Sequence, residues 1–425
     1  VSPSRAGAAT FRRQWSELEP VGRHAGTGGY RRFAWTAADA TCREWFAAAA
    51  AERGLDVVAD RAGNLTAWWG DPDGSGPGGG PGVVTGSHLD SVPDGGAFDG
   101  PLGIVTAFAA LDALREEGFV PARPLGIAAF ADEEGARFGV ACAGSRLLTG
   151  ELAPDRARAL RDDAGTTLAE AAAASGVDVR HLGRDGEALR RIGCYVELHV
   201  EQGRALADLG GPVAVGSGIW PHGRYRLDLD GAADHAGTTL LADRRDPMLA
   251  YAVAVLAARS RAAALGARAT FGRVRVEPGG TNAVPSRVQA WLDARAEDET
   301  TLAALVEGVR QDVAERSARE GTDVALVPES VSGAVGFDGA LTARVRAAVA
   351  GAGAELLAAD GTVPVLPTQA GHDAGILSPH VPTAMLFVRN PTGTSHSPAE
   401  HAEEADCLHG VRALTAVLAD LLGEG

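Results

Sequence analysis

Three short apolar runs constrain the fold of this 425-residue chain more than anything else in it. Gly82-Val-Val-Thr-Gly86, Pro124-Leu-Gly-Ile-Ala-Ala-Phe130 and Cys194-Tyr-Val-Glu-Leu-His199 are brief, bounded by glycine, proline or polar residues, and apolar without alternation. Such runs read as strands buried on both faces. Between the first two lies Gly103 to Glu117, where apolar residues recur at helical spacing. Strands separated by helices imply an α/β domain, a mixed sheet flanked by helices. The Gly/Pro-rich piece from Asp73 to Gly82 matches neither glycine fingerprint of a nucleotide loop and reads as a surface turn.

From about Gly211 the pattern changes. Tyr225 to Asp230, Phe271 to Val276 and Val288 to Leu292 alternate apolar and polar residues, with helical stretches near Pro247 to Leu265 and Thr300 to Glu320. This predicts a smaller α+β domain inserted over 212–328, dividing a larger one into 1–211 and 329–425. The larger domain then resumes with a helix from about Leu341, a strand at Thr383 to Val388 and a final helix. That helix is expected to start at Ser397-Pro398-Ala399-Glu400, which has the form of a capping box with proline at the first helical position.

Composition removes several functions. A net charge of −16 argues against tracking nucleic-acid phosphates or docking on anionic lipid. All 39 basic residues are arginine, so Schiff-base chemistry and a lysine-bearing P-loop are out of reach. No run of about 20 apolar residues suggests a membrane span, and Val1 to Thr10 lacks the apolar core of a signal peptide. Cys42, Cys142, Cys194 and Cys407 are scattered, which fits reduced thiols and a cytoplasmic location.

Five segments carry ligand-type side chains at strand ends or in the adjoining loops, where open α/β sheets build their sites. They are Gly86-Ser-His88-Leu-Asp90, Gly95-Gly-Ala-Phe-Asp99-Gly100, Asp132-Glu133-Glu134-Gly135, Glu197-Leu-His199-Val-Glu201-Gln202-Gly203 and Gly393-Thr394-Ser-His396-Ser-Pro398. A neutral imidazole binds a metal, and Asp90 is placed to accept the other ring N–H of His88 and fix its tautomer. Each segment alone has an ordinary surface explanation. Together they supply the donors of a two-metal site.

These segments resemble the allantoate amidohydrolase, N-carbamoyl-L-amino-acid hydrolase and β-ureidopropionase group, within the aminoacylase and carboxypeptidase-like dinuclear metallohydrolases. The likeness runs from about Arg13 to the C-terminus and includes Gly231-Ala-Ala-Asp-His235-Ala-Gly-Thr-Thr239, Gly280-Thr-Asn282 and Gly371-His372-Asp-Ala374. The resemblance implies a metallo-aminopeptidase-like catalytic domain interrupted by a lid that also forms a homodimer. It assigns His88 and His199 to one divalent metal, Glu134 and His396 to a second, Asp99 to the bridge and Glu133 to the general base. It also implies substrate contacts from His235, Asn282 and Arg295 on the lid, with His235 reaching the partner's site, and from Gln202, His372 and the Gly393–Thr394 backbone. The metals would be Zn²⁺ or Mn²⁺, with Co²⁺ and Ni²⁺ also suited to these ligands. The implied substrate is a small ureido acid. Allantoate leads, because Gly28 to Trp35 and Phe387 to His396 resemble allantoate amidohydrolases, although Pro367-Thr-Gln-Ala-Gly371 departs from the small-residue run expected there. An N-carbamoyl-L-amino acid or β-ureidopropionate comes second, then a dipeptide or acylated amino acid. A silent binding protein is disfavoured, since it has no use for Glu133.

Overall fold

The computed structural model describes residues 4–76 and 78–423. The chain folds as two compact units, one taking the residues up to Gly218 and from Gly336 onward, the other Ile219–Val335.

The larger unit begins with β1 (Asp56–Ala59), β2 (Leu65–Trp69), β3 (Gly82–His88), β4 (Leu125–Phe130), β5 (Ile192–Val200) and β6 (Val213–Ile219). Every residue of β3 and β4 is buried, as uninterrupted apolar strands require when both sheet faces are covered. The helix Pro101–Glu116 starts on its proline and is buried along almost all its length. Being apolar on all sides, it can sit only in the interior. Helices Arg5–Leu18 and Glu404–Leu422 pack against it, and Val83, Phe108, Leu198, Leu386 and Val417 share one core. The described part of the Gly/Pro-rich piece forms turns and bends between β2 and β3. The four cysteines are free and buried.

The second unit contains β7 (His222–Asp230), β8 (Asp234–His235), β9 (Arg268–Glu277), β10 (Ala283–Val284), β11 (Arg287–Arg295) and β12 (Asp323–Ser332). Four of these form an antiparallel sheet in the order β12-β7-β11-β9. Burial alternates along the whole of β11. Its inward Val288, Ala290, Leu292 and Ala294 share a separate core with Ala254 and Ala258 of one helix and Leu305 and Val309 of another. Those helices, Pro247–Ala264 and Glu299–Glu320, are capped by Asp246 and Asp298, whose carboxylates accept N–H groups of the first turn.

The chain returns through β13 (Val335–Gly336), β14 (Val365–Thr368) and β15 (Thr383–Val388). The large sheet runs β1-β2-β4-β3-β5-β15-β6-β13, with β14 beside β6. Its central strands β4, β3, β5 and β15 are parallel, whereas β2 and β6 join them antiparallel, which makes the sheet mixed. Parallel strands end at one edge. The loops after β3, β4, β5 and β15 therefore converge there, and these loops carry the ligand-type residues.

The last helix begins at Glu404, with Glu403 as its N-cap, and not at Ser397. A tertiary contact defeats the local capping pattern. The Glu400 carboxylate is drawn inward to accept the backbone N–H groups of Phe98 and Asp99, each at 3.0 Å.

Candidate metal centre

His88 closes β3 opposite Phe130 of β4, and His199 lies near the end of β5 opposite Phe387 of β15. Each directs Nδ1 at a backbone carbonyl, His88 at Asp90 O (3.1 Å) and His199 at Val200 O (2.9 Å). This contact favours a ring proton on Nδ1 and turns Nε2 of each ring towards Asp99. Gly100, at φ 85°, lies against the His88 ring, where a Cβ would fall 2.5 Å from Nδ1 and Cε1. No side chain fits there.

Asp99 occupies the centre. Its Oδ1 lies 3.2 Å from His199 Nε2 and 3.5 Å from His88 Nε2, while Oδ2 lies 3.3 Å from His396 Nε2 and 3.0 Å from Gln202 Nε2. One carboxylate oxygen thus faces two imidazoles and the other faces His396. Glu134 Oε2 completes the second group, 3.6 Å from His396 Nε2.

Glu133 and Glu134 follow β4 directly, and Asp90 holds both. Its two carboxylate oxygens accept their backbone N–H groups at 3.1 Å each. The ring of His88 is closer to the Asp90 carbonyl than to its carboxylate, which stands 3.6 Å from Nδ1. Glu133 Oε2 lies 3.7 Å from His88 Nε2, and its Oε1 accepts the thiol of buried Cys142 at 3.1 Å. Below them Glu197 accepts Ser87 Oγ–H and Ala374 N–H, and the buried His372 ring packs edge-on against His199.

These residues fit divalent cations. Among the described residues, His199 Nε2 and Glu134 Oε1 are buried without a hydrogen-bond partner, and such orphaned acceptors cost free energy unless something binds them. The groups His88–Asp99–His199 and Asp99–Glu134–His396 each bring their ligand atoms within 4.8 Å of one another. Nitrogen and carboxylate donors without a thiolate suit first-row divalent metals. The charge distribution agrees. Burial opposes ionisation of Asp99, yet the imidazoles of His199, His396 and His88 hold its carboxyl well below the usual range. Burial, with Asp99 alongside, pushes Glu134 up to about 7. Burial, reinforced by Asp373 and Glu134 against the pull of His88, lifts Glu133 well above the carboxylate range. An uncompensated carboxylate cluster of this kind is what a bound cation neutralises.

The peptidase family M20/M25/M40 model matches residues 84–420. The chain belongs to this family. It is 37% identical over 405 residues to the N-carbamoyl-L-amino acid amidohydrolase of Geobacillus stearothermophilus, covering 94% of each chain. It is 32% identical over 346 residues to the allantoate amidohydrolase of Escherichia coli, covering 80% of this chain and 81% of that one. Among solved structures, a hydantoinase/carbamoylase family amidase from Burkholderia ambifaria is 30% identical with a TM-score of 0.81, covering 99% of this chain and 98% of the other. The chain is an M20-family amidohydrolase acting on C–N bonds other than peptide bonds.

Within this M20 chain the remaining expected residues fall into two places. Gln202 joins the cluster, and its Nε2 reaches Asp99, Ser395 Oγ (3.1 Å) and His396 Nε2 (3.3 Å). The N–H groups of Gly393 and Thr394 are engaged by the side chains of Asn390 and Thr392. His235, Asn282 and Arg295 lie in the other unit. The β8–β10 pairing sets His235 opposite Ala283, next to Asn282. His235 Nδ1 accepts the Gly237 N–H at 3.0 Å, which leaves Nε2–H to be donated outward. Arg295 closes β11 opposite His222 and grips Asp293 through Nε and Nη2 at 2.8 and 3.2 Å.

Sequence reasoning gave Glu400 only a place in a helix cap and assigned no role to Cys142 or Glu197. Glu400 sits two residues after the Ser-Pro that follows His396, and its acidic side chain in an otherwise capping context was the available signal. Cys142 carried none, because a lone cysteine nine residues from Glu133 shows its partner only in three dimensions.

Proposed function

We propose that this chain hydrolyses the ureido C–N bond of a small ureido acid at a two-cation site. The observation that carries this reading is the split of Asp99, with Oδ1 towards His88 and His199 and Oδ2 towards His396. His88 and His199 would hold one cation, Glu134 and His396 the other, and Asp99 both. Bound there, two divalent ions supply Lewis acidity and make a water nucleophilic near neutral pH; Zn²⁺ and Mn²⁺ are the first to test. Glu133 takes a proton from that water as it attacks the ureido carbonyl and returns it to the nitrogen that leaves. Cys142 fixes Glu133 Oε1, so that Oε2 is the oxygen turned towards the cluster. The products are the amine and carbamate, which decomposes to ammonia and carbon dioxide; from allantoate the amine is ureidoglycine.

His235 Nε2–H is a donor suited to the developing oxyanion, and Asn282 stands beside it. Arg295 is a bidentate clamp for the substrate carboxylate, exchanging Asp293 for it. Arg295 closes one end of β11, opposite His222, whereas His235 follows Asp230 by five residues, and Asp230 faces Arg287 at the other end of that strand. A second copy that supplies one of the two would bring both to one small substrate, and this favours a homodimer formed through the second unit. That unit exposes Leu240, Leu241 and Leu256 and has the edge strand β9 unpaired on one side among the described residues. No described helix is long and apolar enough to cross a membrane, and the free cysteines suit the reducing cytoplasm.

Allantoate is the substrate to which the Gly28–Trp35 and Phe387–His396 segments point. N-carbamoyl-L-amino acids are the second reading, favoured by the Geobacillus relative's identity over nearly its whole length. Ammonia release from allantoate, N-carbamoyl-L-amino acids and dipeptides, with the metal content of the protein measured alongside, decides between them. Metal-loaded protein that turns over no ureido compound would sink the proposal.

A further inference from the structure

We infer that Glu400 is a positioning residue that fixes Asp99 and His396 relative to one another. The inference rests on the two-cation reading. Glu400 is 5% exposed, and its Oε2 accepts the N–H groups of Phe98 and Asp99 at 3.0 Å each. Its Oε1 accepts Ser395 Oγ–H at 3.3 Å, one residue before His396. A single carboxylate therefore ties the loop carrying the bridge to the loop carrying a ligand of the second cation. It does so by three hydrogen bonds, two of them from backbone N–H groups.

The surroundings leave this work to Glu400. The Asp99 loop is tied at its start, where Gly95 pairs with Tyr30 and Asp94 accepts hydrogen bonds from Thr27 and Arg31, and Phe98 packs on Trp15. A cavity of about 310 Å³ borders Gly96, Ala97, Phe98 and Glu400, so the Glu400 carboxylate is the contact that meets the loop backbone at Phe98 and Asp99. Gly96 is shaped to the carboxylate. A Cβ there would fall 2.2 Å from Glu400 Oε2, and the three nearest atoms it would meet all belong to Glu400. His396 is held at φ 53°, a left-handed conformation that its loop must enforce.

The test is cation affinity, measured by chelator competition on purified protein, with kcat and KM recorded in parallel. Glu400→Ala should weaken the more labile cation about tenfold or more and lower kcat more than it raises KM. Glu400→Gln should stay near wild type, because its carbonyl oxygen can accept both N–H groups and its amide can donate to Ser395 Oγ. Gly96→Ala should reproduce the Ala variant's weakening while the negative charge remains. Should Glu400→Ala fail to fold by circular dichroism, Gly96→Ala carries the test alone. Unchanged affinity in the folded variants overturns the inference, as does Glu400→Gln behaving like Glu400→Ala. A wild-type protein that holds no cation is a separate result and refutes the two-cation reading instead.

Discussion

His199 Nε2 stands 3.2 Å from Asp99 Oδ1. Two ligand atoms this close, with the ring proton held at Nδ1 by the Val200 carbonyl, point their lone pairs at shared space. Asp99→Asn replaces one of the facing oxygens with an amide nitrogen that has no lone pair to give. The variant should fold, lose bound metal and lose turnover together. Elemental analysis beside circular dichroism checks this, and full metal content in the variant would contradict the bridging role.

Glu133→Gln is the converse experiment. The side chain keeps its size and its contact with Cys142 but can no longer carry a proton. Metal content should stay at the wild-type level while kcat falls by about 10²–10⁴. Near-normal turnover would remove Glu133 as the base.

The proposed service of His235 to the partner's site makes a subunit-mixing prediction. His235→Ala and Glu133→Gln should each be nearly inactive alone. In mixed dimers one site is doubly damaged and the other intact, so random exchange should restore about a quarter of wild-type activity. Failure to restore any, with exchange verified by mass, would place His235 outside the partner's site.

Asp39 gives a pH prediction at a carboxyl outside the proposed ligand set. Burial, opposed by Arg43 and the Trp35 N–H, raises its carboxyl to about 6. An acid with a raised folded pKa holds its proton in the native state while the unfolded chain loses it. Stability therefore falls as pH rises from about 4 to 6, then levels. Asp39→Asn keeps an acceptor for Trp35 N–H and removes that slope. It should gain up to about 3 kcal/mol over wild type at pH 7 and nothing near pH 3.5. Thermal melts of both proteins at the two pH values check the sign.

Much of this was legible in the sequence because it is written locally. Thr383–Val388 forms the strand its apolar run predicts, and Pro247–Ala264 the helix. Burial alternates along β11 around Val288–Leu292 as the polar pattern does. The segments bearing His88, Asp99, Glu134, His199 and His396 do meet at one sheet edge, since the strands beneath four of the loops are parallel. What was illegible is contact across long sequence separations. Ser397 to Glu400 reads as a helix cap, but Glu400 answers to Phe98 and Asp99, roughly three hundred residues away. Asp90 reads as a partner for the His88 ring, while its carboxylate also braces the backbone of Glu133 and Glu134.

The core shared by Val83, Phe108 and Leu386 is separate from that of the inserted unit, and the chain passes between the units at Gly218/Ile219 and Val335/Gly336. The proposed cation ligands belong wholly to one unit, and His235, Asn282 and Arg295 wholly to the other. By the proposed roles, the donor to the oxyanion and the carboxylate clamp are thereby encoded in one uninterrupted stretch of gene that can be exchanged whole. A chimaera carrying the counterpart of residues 219–335 from a relative should keep the cation ligands and Glu133 while replacing that donor and that clamp.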